Sequence, residues 1–211
     1  KFIDKLKKSK ASAVLVGTKE EVGISQVISS NPELAFARLL EHFHPEPKPK
    51  LGIHSSVVLG TNVVLGKRIA LAPLVCVGDN VRIGDDVVVC AGTVIGDNCE
   101  LGSATLIHSN VTLYRNSIIG SHVTLHAGVV IGSDGFAYTV DEKGTHVKIN
   151  QIGNVVIEDN VQIGSHCSIY SVSTIDDSQG KVVLKQNCRI GSHSTILPGV
   201  SIGENSIIGA H

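Results

Sequence analysis

Histidine is the residue type in this sequence that is best suited to proton transfer, because a free imidazole titrates near neutral pH. Ten histidines are present among the 211 residues. His108 and His126 lie 18 residues apart, and each directly follows an aliphatic residue. His166 and His193 each lie two residues after a glycine. We predict that His126, His193 or His166 serves as a general base. The alternative is that these residues form an exposed row with a structural role alone.

A second set of candidate residues lies in the segment Ser133-Asp134-Gly135-Phe136. The Asp134 carboxylate could orient a base or accept hydrogen bonds from hydroxyl groups, although Ser-Asp-Gly is also a common turn sequence. The aromatic ring of Phe136 is suited either to contact a substrate or to pack over neighbouring residues. No cluster of histidines and carboxylates has the spacing of metal ligands, so we expect no metal site.

These residues are embedded in a repeat with a period of six. A short strand with two inward side chains, followed by a tight corner, fits such a unit. An α-helix does not, because this period places successive aliphatic residues on no common helix face. Three units make an 18-residue coil, which would stack His108 on His126. We predict a mainly β fold, a left-handed parallel β-helix of hexapeptide repeats. The aliphatic residues recur without a break at Leu59, Leu65, Leu71, Val77, Ile83, Val89, Ile95, Leu101, Ile107, Leu113, Ile119, Leu125 and Ile131.

The first fifty residues follow a different pattern. Residues 11–17 and 24–28 are β-branched segments bounded by turn formers, which predicts two short strands. Ser30 or Asn31 would then cap a helix whose first turn contains Pro32. One apolar side of this helix would be formed by Phe36, Leu39, Leu40 and Phe43.

The sequence therefore predicts two domains. Residues 1–44 would form a small, partial α/β domain, and residues 45–50 a proline-rich linker. Residues 51–211 would form the β-helix, with an inserted loop at residues 133–156. A second break in the repeat falls at residues 176–180. Loops that leave a regular coil often hold functional residues.

Composition excludes several classes of function. Eighteen basic and nineteen acidic residues give a net charge of -1, so we expect no nucleic-acid partner. No apolar run is long enough to cross a membrane and no signal peptide opens the chain, which indicates a cytoplasmic protein. The five cysteines form no CxxC pair, and we expect free thiols, with Cys99, Cys167 and Cys188 facing inward. The chain has no methionine, so we expect it to be a fragment or to lack internal residues.

Two longer motifs are more specific than the repeat. They are His126–Phe136 (HAGVVIGSDGF) and Lys148–Ile157 (KINQIGNVVI), and shorter similarities occur at Lys1-Phe2 and Glu33–Ala37. Over roughly the first 165 residues the sequence resembles the UDP-3-O-(3-hydroxyacyl)glucosamine N-acyltransferases of lipid A synthesis.

This resemblance implies an enzyme that transfers a 3-hydroxyacyl group from acyl carrier protein to the amine of a UDP-linked glucosamine. It implies a homotrimer with active sites between neighbouring β-helices and no tightly bound cofactor. By the same resemblance, Phe2 would stack on the uridine of the UDP-sugar substrate. Asp134, Phe136 and Gln151 would also contact the substrate.

The sequence departs from that family at the catalytic base. The family's base lies in a Gln-Ile-Ala-His-Asn hexad, whereas the matching residues here, Thr195–Gly199, contain no histidine. The segment Arg189–Gly203 instead resembles the closing coils of acetyl-CoA-dependent sugar acetyltransferases. Two alternatives therefore stay open: an acetyl-CoA-dependent acetyltransferase of sugars or nucleotide sugars, and a non-catalytic trimer that binds sugar nucleotides.

Overall fold

The chain divides into two compact units, residues 1–48 and residues 49–211. Phe2 and most of the second break in the repeat lie outside the described residues. The structure is a computed structural model that describes residues 5–6, 8–45, 49–173 and 180–211.

The N-terminal unit contains a parallel pair of strands and one helix among its described residues. Strands β1 (Ala13–Val16) and β2 (Ser25–Ile28) pair in register, and helix α1 (Pro32–Phe43) follows. Asn31 caps the helix, because its side-chain oxygen accepts a hydrogen bond from the backbone N–H of Leu34 at 3.0 Å. The predicted strands and helix are confirmed. The predicted apolar side of α1 is largely exposed.

The second unit consists of three parallel sheets that run along a stack of coils. Sheet I contains β3 (Gly52–Ile53), β6 (Ala70–Leu71), β9 (Val88–Val89), β12 (Leu106–Ile107), β15 (Thr124–Leu125), β20 (Gln162–Ile163), β23 (Arg189–Ile190) and β26 (Ile207–Ile208). Sheet II contains β4 (Val58–Leu59), β7 (Cys76–Val77), β10 (Val94–Ile95), β13 (Thr112–Leu113), β16 (Val130–Ser133), β21 (Ser168–Tyr170) and β24 (Thr195–Ile196). Sheet III contains β5 (Val64–Leu65), β8 (Arg82–Ile83), β11 (Glu100–Leu101), β14 (Ile118–Ile119), β19 (Asn154–Ile157), β22 (Lys181–Leu184) and β25 (Ser201–Ile202).

Strand register shows the length of one coil. β10 pairs with β13 through Val94 opposite Thr112 and Ile95 opposite Leu113, so equivalent residues are 18 apart. The inward aliphatic residues stack along the coil axis and are almost completely buried. The predicted parallel β-helix with 18-residue coils is confirmed.

The corners between strands use a left-handed backbone conformation. It occurs three residues after the buried aliphatic residue, for example at Asn80 (φ 57°), Gly128 (φ 73°) and His166 (φ 57°). Glycine adopts this conformation without steric cost, and asparagine tolerates it better than most residues. His193 (φ 60°) has the same conformation, so the two histidines lie at corners as predicted.

Three cysteines belong to the interior of the coil. Cys99, Cys167 and Cys188 are fully buried free thiols, as predicted. The Cys99 thiol donates a hydrogen bond to the backbone oxygen of Tyr114 at 3.1 Å, one coil further along. Burial raises the pKa of Cys99 to about 11. These side chains fill small interior positions and link neighbouring coils.

Two corner rows position the candidate site residues. Edge I–II is the row of corners that leads from sheet I to sheet II, and edge II–III leads from sheet II to sheet III. The inserted loop leaves the coil at edge II–III and contains an antiparallel hairpin, β17 (Tyr138–Val140) and β18 (His146–Lys148). Ser133 and residues 154–156, which we assigned to the loop, lie in strands, because β16 and β19 are four residues long.

Candidate functional site

The larger of two candidate grooves lies at edge II–III, where the inserted loop meets the coil. We call it the Gln151 groove, and its volume is about 680 Å³. Four successive coils and the end of β18 form its walls, so residues distant in sequence share one surface. It is lined by Val94, Gly96, Asp97, Thr112, Leu113, Tyr114, Arg115, Gly132, Ser133, Asp134, Lys148, Gln151, Gly153 and Ser171.

An ion pair forms part of the wall of this groove. The Lys148 ammonium group donates a hydrogen bond to the Asp134 carboxylate, and this contact raises the pKa of Lys148. Both side chains are partly exposed. Arg115 and Asp97 also line the groove, so its wall contains two cationic and two anionic side chains. The charges therefore balance.

Gln151 is the most deeply buried polar side chain of the groove wall after Ser171, with 5% of its surface exposed. Its amide nitrogen lies 3.4 Å from the backbone oxygen of Ile149, a long hydrogen bond that orients the amide group. The amide oxygen Oε1 is buried and has no hydrogen-bond partner within the described ranges. Buried polar atoms are normally paired, so this oxygen is available to a donor that enters the groove.

Tyr114 interrupts the regular corner pattern at the groove. The corner position that directly follows the buried aliphatic residue is glycine in neighbouring coils, at Gly96 and Gly132, but tyrosine here. A Cβ at Gly132 would lie only 3.2 Å from the Cβ of Tyr114, so a glycine in the next coil avoids crowding the base of this side chain. The Tyr114 side chain is 45% exposed and can therefore contact a bound molecule.

The second groove lies at edge I–II beside His126 and has a volume of about 360 Å³. The imidazole of His126 stacks on that of His108, with ring centroids 4.8 Å apart and planes within 7°. This confirms the predicted stacking. The Nε2 atom of His126 lies 3.0 Å from the side-chain amide nitrogen of Gln162. The groove also contains Arg189 and the glycine corners of the following coils, including Gly191.

The other two candidate bases belong to a separate histidine stack. His166 and His193 have ring centroids 5.3 Å apart, and His193 and His211 are 5.1 Å apart. His166 and His193 are exposed at their corners, and neither lines one of the two grooves described above. Their regular spacing follows directly from coil stacking.

The structure brings Asp134 and Gln151 into one groove but does not place a histidine beside them. His126 lies at edge I–II, on the other side of sheet II from edge II–III. Phe136 is 97% exposed, and its ring contacts only Tyr138 among the described aromatic residues. The predicted contact of Phe2 with uridine lies outside the described residues.

Comparison with known proteins places these features in context. Residues 75–105, 99–133 and 181–211 match the bacterial transferase hexapeptide family, which has six repeats. The chain therefore contains hexapeptide repeats, in agreement with its 18-residue coils. A UDP-3-O-acylglucosamine N-acyltransferase of Francisella tularensis subsp. holarctica is 48% identical over 180 residues, which are 84% of this chain and 53% of that protein. The corresponding protein of Protochlamydia amoebophila is 41% identical over 174 residues, or 80% and 50% of the two chains.

These similarities confirm the resemblance inferred from the sequence motifs. The chain spans about half the length of the curated relatives it matches. A solved structure of PerB from Caulobacter crescentus is 16% identical with a TM-score of 0.45, and the match covers 76% of this chain and 89% of that one.

Sequence reasoning did not identify several residues of the two grooves, among them Tyr114, Lys148 and Gln162. Tyr114 could have been found as the aromatic residue that replaces a repeated glycine. Lys148 reaches Asp134 only because the hairpin folds back. Gln162 reaches His126 because β15 and β20 pair directly, although the inserted loop separates the two residues by 36 positions.

Two kinds of feature are absent from the described part of the chain. Its helices include none that is long and apolar enough to cross a membrane. Over the same residues, no group of three or more histidine, cysteine, aspartate or glutamate side chains could hold a metal ion.

Proposed function

We propose that this protein transfers an acyl group from a thioester to the amine of a UDP-linked glucosamine. The observation that carries the proposal is 48% identity, over 84% of the chain, to a UDP-3-O-acylglucosamine N-acyltransferase. We further propose that the donor is a 3-hydroxyacyl group on acyl carrier protein and that the reaction belongs to lipid A synthesis. No tightly bound cofactor is needed for this chemistry.

In the proposed reaction the sugar amine attacks the thioester carbonyl carbon. A new C–N bond forms, the C–S bond breaks, and the amine loses one proton. A general base near neutral pH must accept that proton and can return it to the departing thiolate. His126 is the candidate that the geometry favours, because it lies in a groove and Gln162 fixes the plane of its ring. His193 and His166 are alternatives on exposed corners.

The Gln151 groove is proposed as the site of the sugar nucleotide. It supplies acceptors in Asp134 and Gln151, a donor in Lys148, and the Tyr114 ring as an apolar surface. Hydroxyl-rich ligands are commonly bound by a few placed polar groups and an aromatic ring. Phe2 is proposed to stack on the uracil base, and Phe136 to contact the substrate from the inserted loop.

A homotrimer would explain why the two grooves are separate within one chain. The outward side chains of sheet II carry no charge, whereas the outward face of sheet III includes Arg82 and Glu100. Depletion of charge is typical of the centre of a protein interface. Packing of sheet II against another copy would bring His126 of one chain toward the Gln151 groove of its neighbour. The outward side chains of sheet II are Val58, Cys76, Val94, Thr112, Val130, Ser168 and Thr195.

The reaction is tested by offering the purified protein two donors, 3-hydroxyacyl carrier protein and acetyl-CoA, with a UDP-linked 3-O-acylglucosamine as acceptor. We expect an amide product from the acyl carrier protein donor. A product carrying only acetyl would assign the protein to the acetyltransferases instead. No product from either donor would support a binding role without catalysis.

The base is tested by two matched variants, His126→Ala and His193→Ala. Loss of a general base typically costs a factor of about 100 or more in rate. We expect that loss for His126→Ala and a near-normal rate for His193→Ala. The reverse result would identify His193, in the histidine stack, as the base.

Sharing of the site between copies is tested by mixing inactive variants. Chains with His126→Ala and chains with Gln151→Leu are each expected to be weakly active. After unfolding and refolding together at equal amounts, about a quarter of the sites in a random trimer would have both residues intact. Activity that does not recover in the mixture would place the whole site within one chain.

A further inference from the structure

One buried oxygen in the Gln151 groove has no partner. Oε1 of Gln151 is the only buried side-chain nitrogen or oxygen without a hydrogen-bond partner across the described part of the chain. The side chain is 95% removed from solvent, since only 5% of its surface is exposed. A buried acceptor without a donor is unfavourable, and such atoms in folded proteins commonly mark functional positions.

No donor among the described residues reaches this oxygen. The amide nitrogen at the other end of the group donates a long hydrogen bond to the backbone oxygen of Ile149 at 3.4 Å. A Cβ placed on Gly135 would lie 3.9 Å from Oε1 and 2.9 Å from the Cγ of Pro198, so both residues border the same space. Neither a glycine nor a proline side chain can donate a hydrogen bond.

The charges of the groove indicate what kind of donor it takes. Arg115 and Lys148 on its wall are balanced by Asp97 and Asp134, so the described wall of the groove carries no net charge. A neutral donor suits such a wall. Hydroxyl groups are the neutral donors that the proposed sugar and hydroxyacyl substrates carry in greatest number.

We propose that Gln151 is a specificity-determining residue whose Oε1 accepts a hydrogen bond from a hydroxyl group of the substrate. The inference rests on the proposed function, because that reaction offers two sources of such a group. One source is a free hydroxyl of the sugar ring, and the other is the 3-hydroxyl of the acyl chain. Both present the same O–H donor, and a substrate that lacks it leaves Oε1 unpaired.

The test combines removal of the hydroxyl with removal of the acceptor. Binding is measured by titration calorimetry, so no turnover is required. The sugar probes are UDP-N-acetylglucosamine and its 4-deoxy and 6-deoxy analogues. The acyl probes are 3-hydroxyacyl and unsubstituted acyl carrier protein of equal chain length. Each probe is titrated into the unaltered protein, into Gln151→Leu, which removes the acceptor at similar size, and into Gln186→Leu, an exposed glutamine on another corner.

We expect the loss of one particular hydroxyl group from a probe to weaken binding only to proteins that retain Gln151. Its removal from the probe should weaken binding to the unaltered protein by about tenfold or more and to Gln186→Leu by the same factor. It should leave binding to Gln151→Leu nearly unchanged. The probe series that shows this pattern identifies the source of the hydroxyl. If every deoxy probe loses the same factor in Gln151→Leu as in the unaltered protein, the inference is wrong.

The two proposals fail in different ways. If Gln151 distinguishes probes with and without the hydroxyl group but no acyl transfer occurs, the proposed reaction is refuted and the hydroxyl contact is retained. Transfer without such discrimination would refute the hydroxyl contact alone. Should Gln151→Leu not fold, Gln151→Met offers an unbranched side chain without the carbonyl, and Gln151→Glu, which keeps an acceptor, should preserve the discrimination.

Discussion

Alkylation of the cysteines tests the interior of the coil directly. Cys99, Cys167 and Cys188 are fully buried, Cys90 is half-buried and Cys76 is exposed in the single chain. We expect iodoacetamide at about pH 8 to modify the three interior thiols far more slowly in the folded protein than in the unfolded chain. Each residue serves as its own reference, because the unfolded chain exposes all five.

The expected factor follows from the pKa of Cys99. Burial raises that pKa from an ordinary 9.0 to about 11. At about pH 8 the reactive thiolate fraction falls from roughly 10% to roughly 0.1%, which alone slows alkylation about a hundredfold. The Sγ atom is also inaccessible to the reagent until the coil opens locally. The total protection of Cys99 should therefore exceed a factor of about 100.

The assay is a time course followed by peptide mass spectrometry, with and without denaturant. A Cys99 rate within about tenfold of its unfolded value would refute the assigned register of the coil. Cys76 provides a second readout, because it lies on the outward face of sheet II. It should react quickly in a free chain and slowly if another copy covers that face.

Three further changes have defined outcomes. The Asp79 carboxylate accepts a hydrogen bond from the Thr61 N–H at 2.6 Å, which lowers its pKa below 3.8. Asp79→Asn should therefore reduce stability in urea at about pH 7, and the difference should disappear as the pH falls through the lowered pKa. Ile107→Ala removes a fully buried side chain and should cost about 2–5 kcal/mol of unfolding free energy in the same assay. Gln162→Leu should lower kcat about tenfold with little change in KM, because it removes one of the contacts that orient the His126 ring; an unchanged kcat would contradict that role.

The repeating part of the fold could be predicted because its information is local. Each hexad specifies its own strand and corner, and the 18-residue coil then places His108 on His126 without any knowledge of distant residues. The inward position of Cys99 follows from the same register. The helix start at Asn31 and Pro32 was equally local.

The candidate site was less predictable because it depends on long-range contacts. Lys148 meets Asp134 only after the hairpin returns to the coil, and no period in the sequence encodes that return. Gln151 shares its groove with Val94 and Ser171, which lie on coils distant from it in sequence. Phe136 was expected to contact a substrate or to pack over its neighbours, but it is almost fully exposed in the single chain.

The 18-residue register also has an evolutionary consequence. Because each coil contacts mainly the coils directly before and after it, a duplication or deletion of one whole coil would join equivalent positions and preserve every inward side chain. Loss of a single residue within a strand would instead turn the aliphatic row outward. Such a scaffold can therefore lengthen or shorten by one whole coil at a time. Each such change would shift the edge residues on one side of the altered coil by one coil relative to those on the other side.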